Sequence, residues 1–320
     1  MRTRYSWLLA LLLAVALSAL AQNYPSKPIR LIVPYAPGGS SDILARLFGQ
    51  QLSETLGQTI VVDNRPGAGS VIGTAILAKS APDGYTIILS DMPHTINPAV
   101  YGKVPYDPVE DFTPITLVAR APMWLFLNPG VPAKTVGEFV ALAKVQPEKF
   151  VIGSGGNGTN THLLAELLQR GAGIKLTHVP FKGAGPSIAA AVAGEVHASF
   201  TSMPAAAPFV QSGRLRAVGV STAARHPALP EVPTFEESGI PNMVLHHWWG
   251  VLAPAGLPKT VQMKLHQALV NAVNQPSIRE RYKTLIIETA TTSPEEFKAL
   301  LASDLKRWGK VVKEAGIHVQ

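Results

Sequence analysis

One pattern occurs twice along this chain, and that repetition limits its possible folds more than any other feature. From Ile29 an apolar run of strand length, Ile-Arg-Leu-Ile-Val, passes through Pro34-Tyr35-Ala36-Pro37 into Gly38-Gly39-Ser40-Ser41-Asp42, then Ile43-Leu44-Ala45-Arg46-Leu47-Phe48. From Phe150 the run Phe-Val-Ile-Gly-Ser reaches Gly155-Gly156-Asn157-Gly158-Thr159-Asn160-Thr161-His162, then Leu163-Leu164-Ala165-Glu166-Leu167-Leu168. Each unit predicts a strand, a glycine-rich turn, and a helix with apolar residues at i, i+1 and i+4. The parallel continues. Ile60-Val61-Val62 precedes Gly67-Ala68-Gly69, and Leu176-Thr177-His178-Val179 precedes Gly183-Ala184-Gly185; the two Gly-Ala-Gly turns lie 116 residues apart. A third run then ends at Ser90-Asp91 in the first half and at Thr201-Ser202 in the second. Each half therefore predicts β-α-β-α-β around a parallel sheet.

A chain of 320 residues is too long for one ordinary core and suits two lobes. Ile115–Arg120 with Met123–Asn128, interrupted by Pro122, and Leu245–Ala253 around His246-His247-Trp248-Trp249 are the expected crossings. Lobe 1 is then 23–122 plus 249–320, and lobe 2 is 123–248. In the tail, Val261, Leu265, Leu269 and Val273 form one helical stripe. Ser293-Pro294-Glu295-Glu296 is a capping box opening a second helix, whose Phe297, Leu301, Leu305, Trp308 and Val312 share a face and which ends near Gly316. These are packing signals.

Composition fixes the compartment and excludes several chemistries. Arg2 and Arg4 precede an apolar run, Trp7–Leu17, followed by Ala19-Leu20-Ala21, which reads as a signal peptide over 1–22 and export to the periplasm. The run falls short of the ~20 apolar residues that span a bilayer. Zero cysteines exclude disulfides, thiolate catalysis, thiolate metal sites and a lipid-bearing cysteine. Net charge is +7, or +5 without the leader's two arginines, and it is scattered. That suits an anionic solute but shows no basic stripe for nucleic acid. No metal or cofactor is expected: His246-His247 lacks the spacing and third ligand of a zinc site, and is read as structural or cleft-lining.

In open parallel sheets ligands bind beyond the carboxyl ends of the strands. The sharpest candidate is the first turn, Pro37, Gly38, Gly39, Ser40 and Ser41. Glycine lets a ligand approach the backbone, and a helix start presents unpaired N–H groups with roughly half a positive charge. Asp42 is expected to steady that start, and a plain strand–helix turn is the blander reading of the same residues. Gly153-Ser-Gly-Gly-Asn-Gly158 matches G-x-G-x-x-G, but the next strand offers Lys175, Thr177 and His178 where a dinucleotide site needs an acid. The loop is better read as a polar lid, with Asn157, Thr159 and Asn160 facing the cleft. Ser154, Ser202, His162 and Asp91 could be drawn as a hydrolytic triad, but no G-x-S-x-G elbow positions a nucleophile. Trp248-Trp249 is hinge or core, or stacks on an aromatic ligand. Lys182 either pairs with a carboxylate at the rim or is solvated.

Ordered blocks across the mature chain resemble the extracytoplasmic solute receptors of the tripartite tricarboxylate transporters, the Bug-type receptors. They are Tyr24-Pro25-Ser26-Lys27-Pro28-Ile29-Arg30, Val33–Gly39 with Asp42, Val62–Gly69, Asp83–Thr86, Gly155–Thr159 with His162-Leu163, Pro180–Gly183 and Trp249–Pro254. The resemblance implies a type II periplasmic-binding-protein fold, with two α/β lobes joined by crossing strands and closing on a small carboxylate. It implies no catalysis, membrane permease subunits as partners, and a monomer. The carboxylate would rest on the backbone of Gly38, Gly39 and Ser40. Waters would extend the contacts to Gly155, Asn157, Gly158 and Thr159, and Ser90, Asp91, Met92, Phe181, Lys182 and Gly183 would complete the pocket. One departure stands out. Where many members carry an acid after the strand ending at Phe200, this chain has Thr201 and Ser202, which argues against a ligand ammonium there unless Asp91 substitutes. A receptor of the same fold serving a sensor kinase, and an exported hydrolase using the same cleft, are the alternatives.

Overall fold

The computed structural model describes residues 24–317; the expected signal peptide lies outside the described residues. Two five-stranded sheets form, each with helices packed on it. The first contains β1 (Ile29–Val33), β2 (Ile60–Asn64), β3 (Thr86–Asp91), β4 (Phe112–Pro122) and β10 (His246–Pro254), in the order β2-β1-β3-β10-β4. The second contains β5 (Trp124–Leu127), β6 (Val151–Ser154), β7 (Thr177–Pro180), β8 (Ala198–Thr201) and β9 (Arg216–Val220), in the order β7-β6-β8-β5-β9. In each sheet the three strands of the repeat pair in parallel, and the fourth runs antiparallel. The repeat seen in sequence is thus a repeat of topology.

Three helices follow the first-lobe strands: α1 (Ser40–Leu56), α2 (Val71–Ala78) and α3 (Pro93–Tyr101). The second lobe carries α4 (Val136–Val145), α5 (Asn160–Ala172), α6 (Ala184–Ala193) and α7 (Met203–Gln211). The tail returns to the first lobe as α8 (Lys259–Asn274), α9 (Pro276–Thr284) and α10 (Pro294–Glu314). The α8 stripe Val261, Leu265, Leu269 and Val273 is buried, as are Phe297, Leu301, Trp308 and Val312 of α10, with Leu305 at the margin. The capping box at Ser293 and Glu296 forms as the sequence predicts. No helix among the described residues is long and apolar enough to cross a membrane.

The chain leaves the first sheet at Met123, between β4 and β5, and returns between β9 and β10. The two passages brace one another: Met123 N–H donates to Ser221 Oγ (2.9 Å), Ser221 N–H donates to the Met123 carbonyl (2.9 Å), and Ser221 Oγ donates to the Leu245 carbonyl (2.6 Å). One expectation shifts here. His246, His247 and Trp248 belong to the first sheet and not the second lobe, because β10 pairs along the whole of β4, beginning at His246 opposite Pro122.

Candidate functional site

The two lobes face each other across the carboxyl ends of their parallel strands and touch. Ala36 N–H donates to the Lys182 carbonyl (2.9 Å), Ser202 Oγ to Ser40 Oγ (2.8 Å), and Tyr101 Oη to the Asn157 carbonyl (3.0 Å). Between them lies a cavity lined by Tyr35, Gly39, Ser40, Ser41, Asp91, Met123, Gly155, Thr159, Asn160, Thr161, Ala184, Thr201, Ser202, His247 and Trp249.

The start of α1 forms one wall. Gly39 occupies the cap position and has no side chain to offer, so the helix opens without a side-chain cap. The first intrahelical donor is Ile43, to the Gly39 carbonyl. The N–H groups of Ser40, Ser41 and Asp42 make no hydrogen bond within the described residues. Unpaired donors at a helix start seek an acceptor, and an anion is the best one. Asp42 does not point at that acceptor. It takes hydrogen bonds from Gly38 N–H (3.0 Å), Asn64 Nδ2 (3.1 Å) and Arg46. Burial pushes its carboxyl up, but those donors outweigh burial and hold it below the ordinary value. Ser41 Oγ accepts from Trp249 Nε1 (2.9 Å), which leaves the Ser41 hydroxyl hydrogen free to donate into the cavity.

The opposite wall starts with α6 and α7, both without side-chain caps. The floor is polar. Tyr35 Oη donates to Asp91 Oδ1 (2.8 Å), His247 Nε2 lies 3.6 Å from Asp91 Oδ2, and Asn160 Nδ2 donates to His247 Nδ1 (3.1 Å). An Nδ1 that accepts leaves the ring hydrogen on Nε2, facing Asp91. Burial raises the Asp91 carboxyl to about 7, against the pull of the Tyr35 donor, and burial drives His247 down to about 3. No lysine or arginine lines the space.

Of the residues singled out from sequence, Gly39, Ser40, Ser41, Asp91, Gly155, Thr159, Asn160, Thr201 and Ser202 meet in this cavity. The others lie elsewhere. Pro37 and Gly38 are exposed on the outer side of the turn. Ser90 points to the opposite face of β3 from Asp91, and Met92 is buried in the core. Asn157, Phe181 and Lys182 line a neighbouring interlobe space, with Lys182 exposed. Gly158 packs against Asn97 and Tyr101, and Gly183 against Tyr35 and Ala36. Three glycine amides of the dinucleotide-like loop are committed within it. Gly155 N–H is taken by Thr161 Oγ1 (2.8 Å), Gly156 N–H by Ser154 Oγ (3.2 Å) and Gly158 N–H by His162 Nδ1 (3.3 Å). Nor does a triad assemble. Ser154 is fully buried against His178 Nε2 (2.7 Å) inside the second lobe, while Ser202 bonds Ser40. Tyr35, Met123, Thr161, Ala184, His247 and Trp249 also reach the cavity. His247 fits the cleft-lining reading of the histidine pair, and Trp249, two residues on along the strand, shares its face.

The profile of the "tripartite tricarboxylate transporter family receptor" matches residues 44–317. BugT of Bordetella pertussis is 34% identical over 308 residues, covering 96% of this chain and 94% of that protein. The structure of MatC from Rhodopseudomonas palustris with bound malate superposes with a TM-score of 0.86 at 31% identity, covering 90% of this chain and 100% of that one. R. palustris Rpa4515 with adipate gives a TM-score of 0.88 at 33% identity, covering 92% and 100%.

Proposed function

This chain belongs to the tripartite tricarboxylate transporter receptor family, and we propose that it captures a small organic carboxylate between its lobes and delivers it to membrane permease subunits from the periplasm. It is a binding protein and not an enzyme, as are the proteins it resembles. The observation that carries the reading is the uncapped start of α1. Three main-chain donors, at Ser40, Ser41 and Asp42, are unpaired at the start of a helix whose Ser40 and Ser41 line a cavity that holds no cationic side chain. Such a seat suits a carboxylate, whose oxygens accept several N–H bonds while the helix dipole offsets the charge. Malate in MatC and adipate in Rpa4515 are ligands of the same chemical class.

The remaining seat residues support closure. The Ser40–Ser202 and Ala36–Lys182 bonds join the lobes directly, so the ligand is enclosed when they form. A ligand favours that state only through contacts it makes better when the lobes are together. Lobe 2's contribution, from Gly155, Thr159, Thr201 and Ser202, is then to cover the far side of the ligand. The chain acts as a monomer in this reading and needs no cofactor.

A thermal-shift screen over mono-, di- and tricarboxylates tests it. An acid that binds only the native state raises the melting temperature, by about 2.7 kcal/mol of added stability at a hundredfold excess over its Kd. A screen in which no carboxylate shifts the melt, while a neutral sugar or a cationic solute does, would refute the assignment.

A further inference from the structure

The cavity contains one feature that an anion seat does not call for. Asp91 sits 4% exposed at the end of β3 and is the only acid among the cavity residues. A ligand carboxylate on α1 and an ionised Asp91 would place two negative charges in one space. The groups packed around Asp91 offer no balancing cation. The turn after β1 presents the Tyr35 hydroxyl, with Tyr106 behind it; β10 presents neutral His247; α5 reaches His247 through Asn160; and α1 presents only serine hydroxyls. Lys182 is exposed and lines the neighbouring space. Like charges that share a desolvated site cannot both persist, and one of them takes a proton.

Resting on the carboxylate-receptor reading, we propose that Asp91 sets the ligand class: the cleft admits an organic acid without an ammonium group, and the acid enters with one proton held on the Asp91–His247 pair. Geometry places that proton on Asp91. Asn160 donates to His247 Nδ1, which an imidazolium could not accept, and the 3.6 Å from His247 Nε2 to Asp91 Oδ2 is too long for a hydrogen bond. Oδ2 therefore carries a hydrogen free to donate to the distal oxygen of a hydroxy- or dicarboxylic acid. An ammonium would need about three acceptors. Here Oδ1 already takes the Tyr35 hydroxyl, His247 has its one acceptor nitrogen occupied by Asn160, and Thr201-Ser202 supplies no second acid. The Asp91 carboxyl, raised by burial to about 7, is consistent with proton uptake near neutrality.

Calorimetric titration of succinate, malate and adipate, from pH 6.5 to 8.5 in buffers of differing ionisation enthalpy, tests the inference. Proton uptake should approach one per ligand above pH 7, and the association constant should fall about tenfold per pH unit there. Asp91→Asn, permanently neutral with amide donors, should bind at pH 8.5 and lose the slope. Tyr35→Phe removes the donor that favours ionised Asp91, so the fall in affinity should begin at higher pH. Affinity unchanged across the range with no proton taken up would overturn the proposal, as would tighter binding of aspartate or glutamate than of succinate. If no acid or amino acid binds at all, the receptor reading fails and takes this inference with it.

Discussion

The glycine turn before α1 and the glycine turn before α5 begin alike in sequence and end in different chemistry. Both leave a parallel strand, both open a helix, and both border the cavity. At the cap position the first has Gly39 and the second has Thr159. Thr159 Oγ1 accepts from His162 N–H, Thr161 Oγ1 accepts from Gly155 N–H, and His162 Nδ1 accepts from Gly158 N–H. The second turn thus satisfies the third amide of its helix, His162 N–H, and two of its glycines, and leaves only Asn160 and Thr161 N–H open at the start of α5. The first leaves all three, at Ser40, Ser41 and Asp42, unsatisfied. The two helix starts differ by one cap hydroxyl, and so in how many donors they can offer an anion.

Converting the first turn into the second should have the largest effect. Gly39→Asp supplies a cap oxygen to the open amides and adds a negative charge where the ligand's would sit. Two lost charge-assisted hydrogen bonds, about 1.5–3 kcal/mol each, should raise Kd by at least about a hundredfold. The melting temperature of the free protein should hold or rise, since a carboxylate caps a helix at least as well as glycine. Tight binding by a folded variant would place the seat elsewhere.

Closure should be separable from the seat. Gly185, at the start of α6, lies against the first turn: a Cβ there would meet Pro37 O at 2.7 Å, Gly39 N at 2.8 Å and Gly38 C at 2.9 Å. All three are backbone atoms of the other lobe, which cannot swing aside as a side chain would. Within its own helix alanine is favoured over glycine. Gly185→Ala should therefore leave folding intact, weaken binding by about tenfold or more, and hold the lobes apart. Small-angle scattering should show no ligand-induced contraction. A variant that contracts normally on ligand addition would contradict the closed geometry.

The legibility of this site follows from where its chemistry resides. Gly39, Ser40 and Ser41 could be found because their function is that of the main chain, and glycine before a helix start advertises it. Thr201, Ser202 and Asp91 could be found because strand ends in this topology converge. Asn157, Phe181 and Lys182 could not be separated from these in sequence. The left-handed turn at Ala68 to Ser70 brings Gly69 against Asn157 and opens a second space beside the first, a contact between residues nearly ninety positions apart. The Tyr35–Asp91–His247–Asn160 chain was also hidden, because it draws on four elements and both lobes. The repeat, by contrast, was readable almost to the strand, while His246–Trp248 join the first sheet because pairing with β4 overrides the apparent hinge.

The smallest effect on binding should come from stripping the second turn of its cap. Thr159→Ala removes an oxygen that accepts from His162 N–H (3.3 Å), donates to the Gly156 carbonyl (2.6 Å) and meets Thr161 Oγ1 at 2.8 Å. Losing such a cap costs about 1 kcal/mol, so the melting temperature should fall by a few degrees. The ligand should hardly register the change, with Kd moving less than about threefold, because Thr159 spends its hydrogen bonds on its own loop although it borders the cavity. Calorimetric titration and a thermal melt on the same sample separate the two effects. If instead Thr159→Ala weakened binding as severely as Gly39→Asp at unchanged stability, the second turn would be a seat in its own right. The asymmetry between the two helix starts would then be one of degree, with the ligand's charge shared between the lobes and not held by the first.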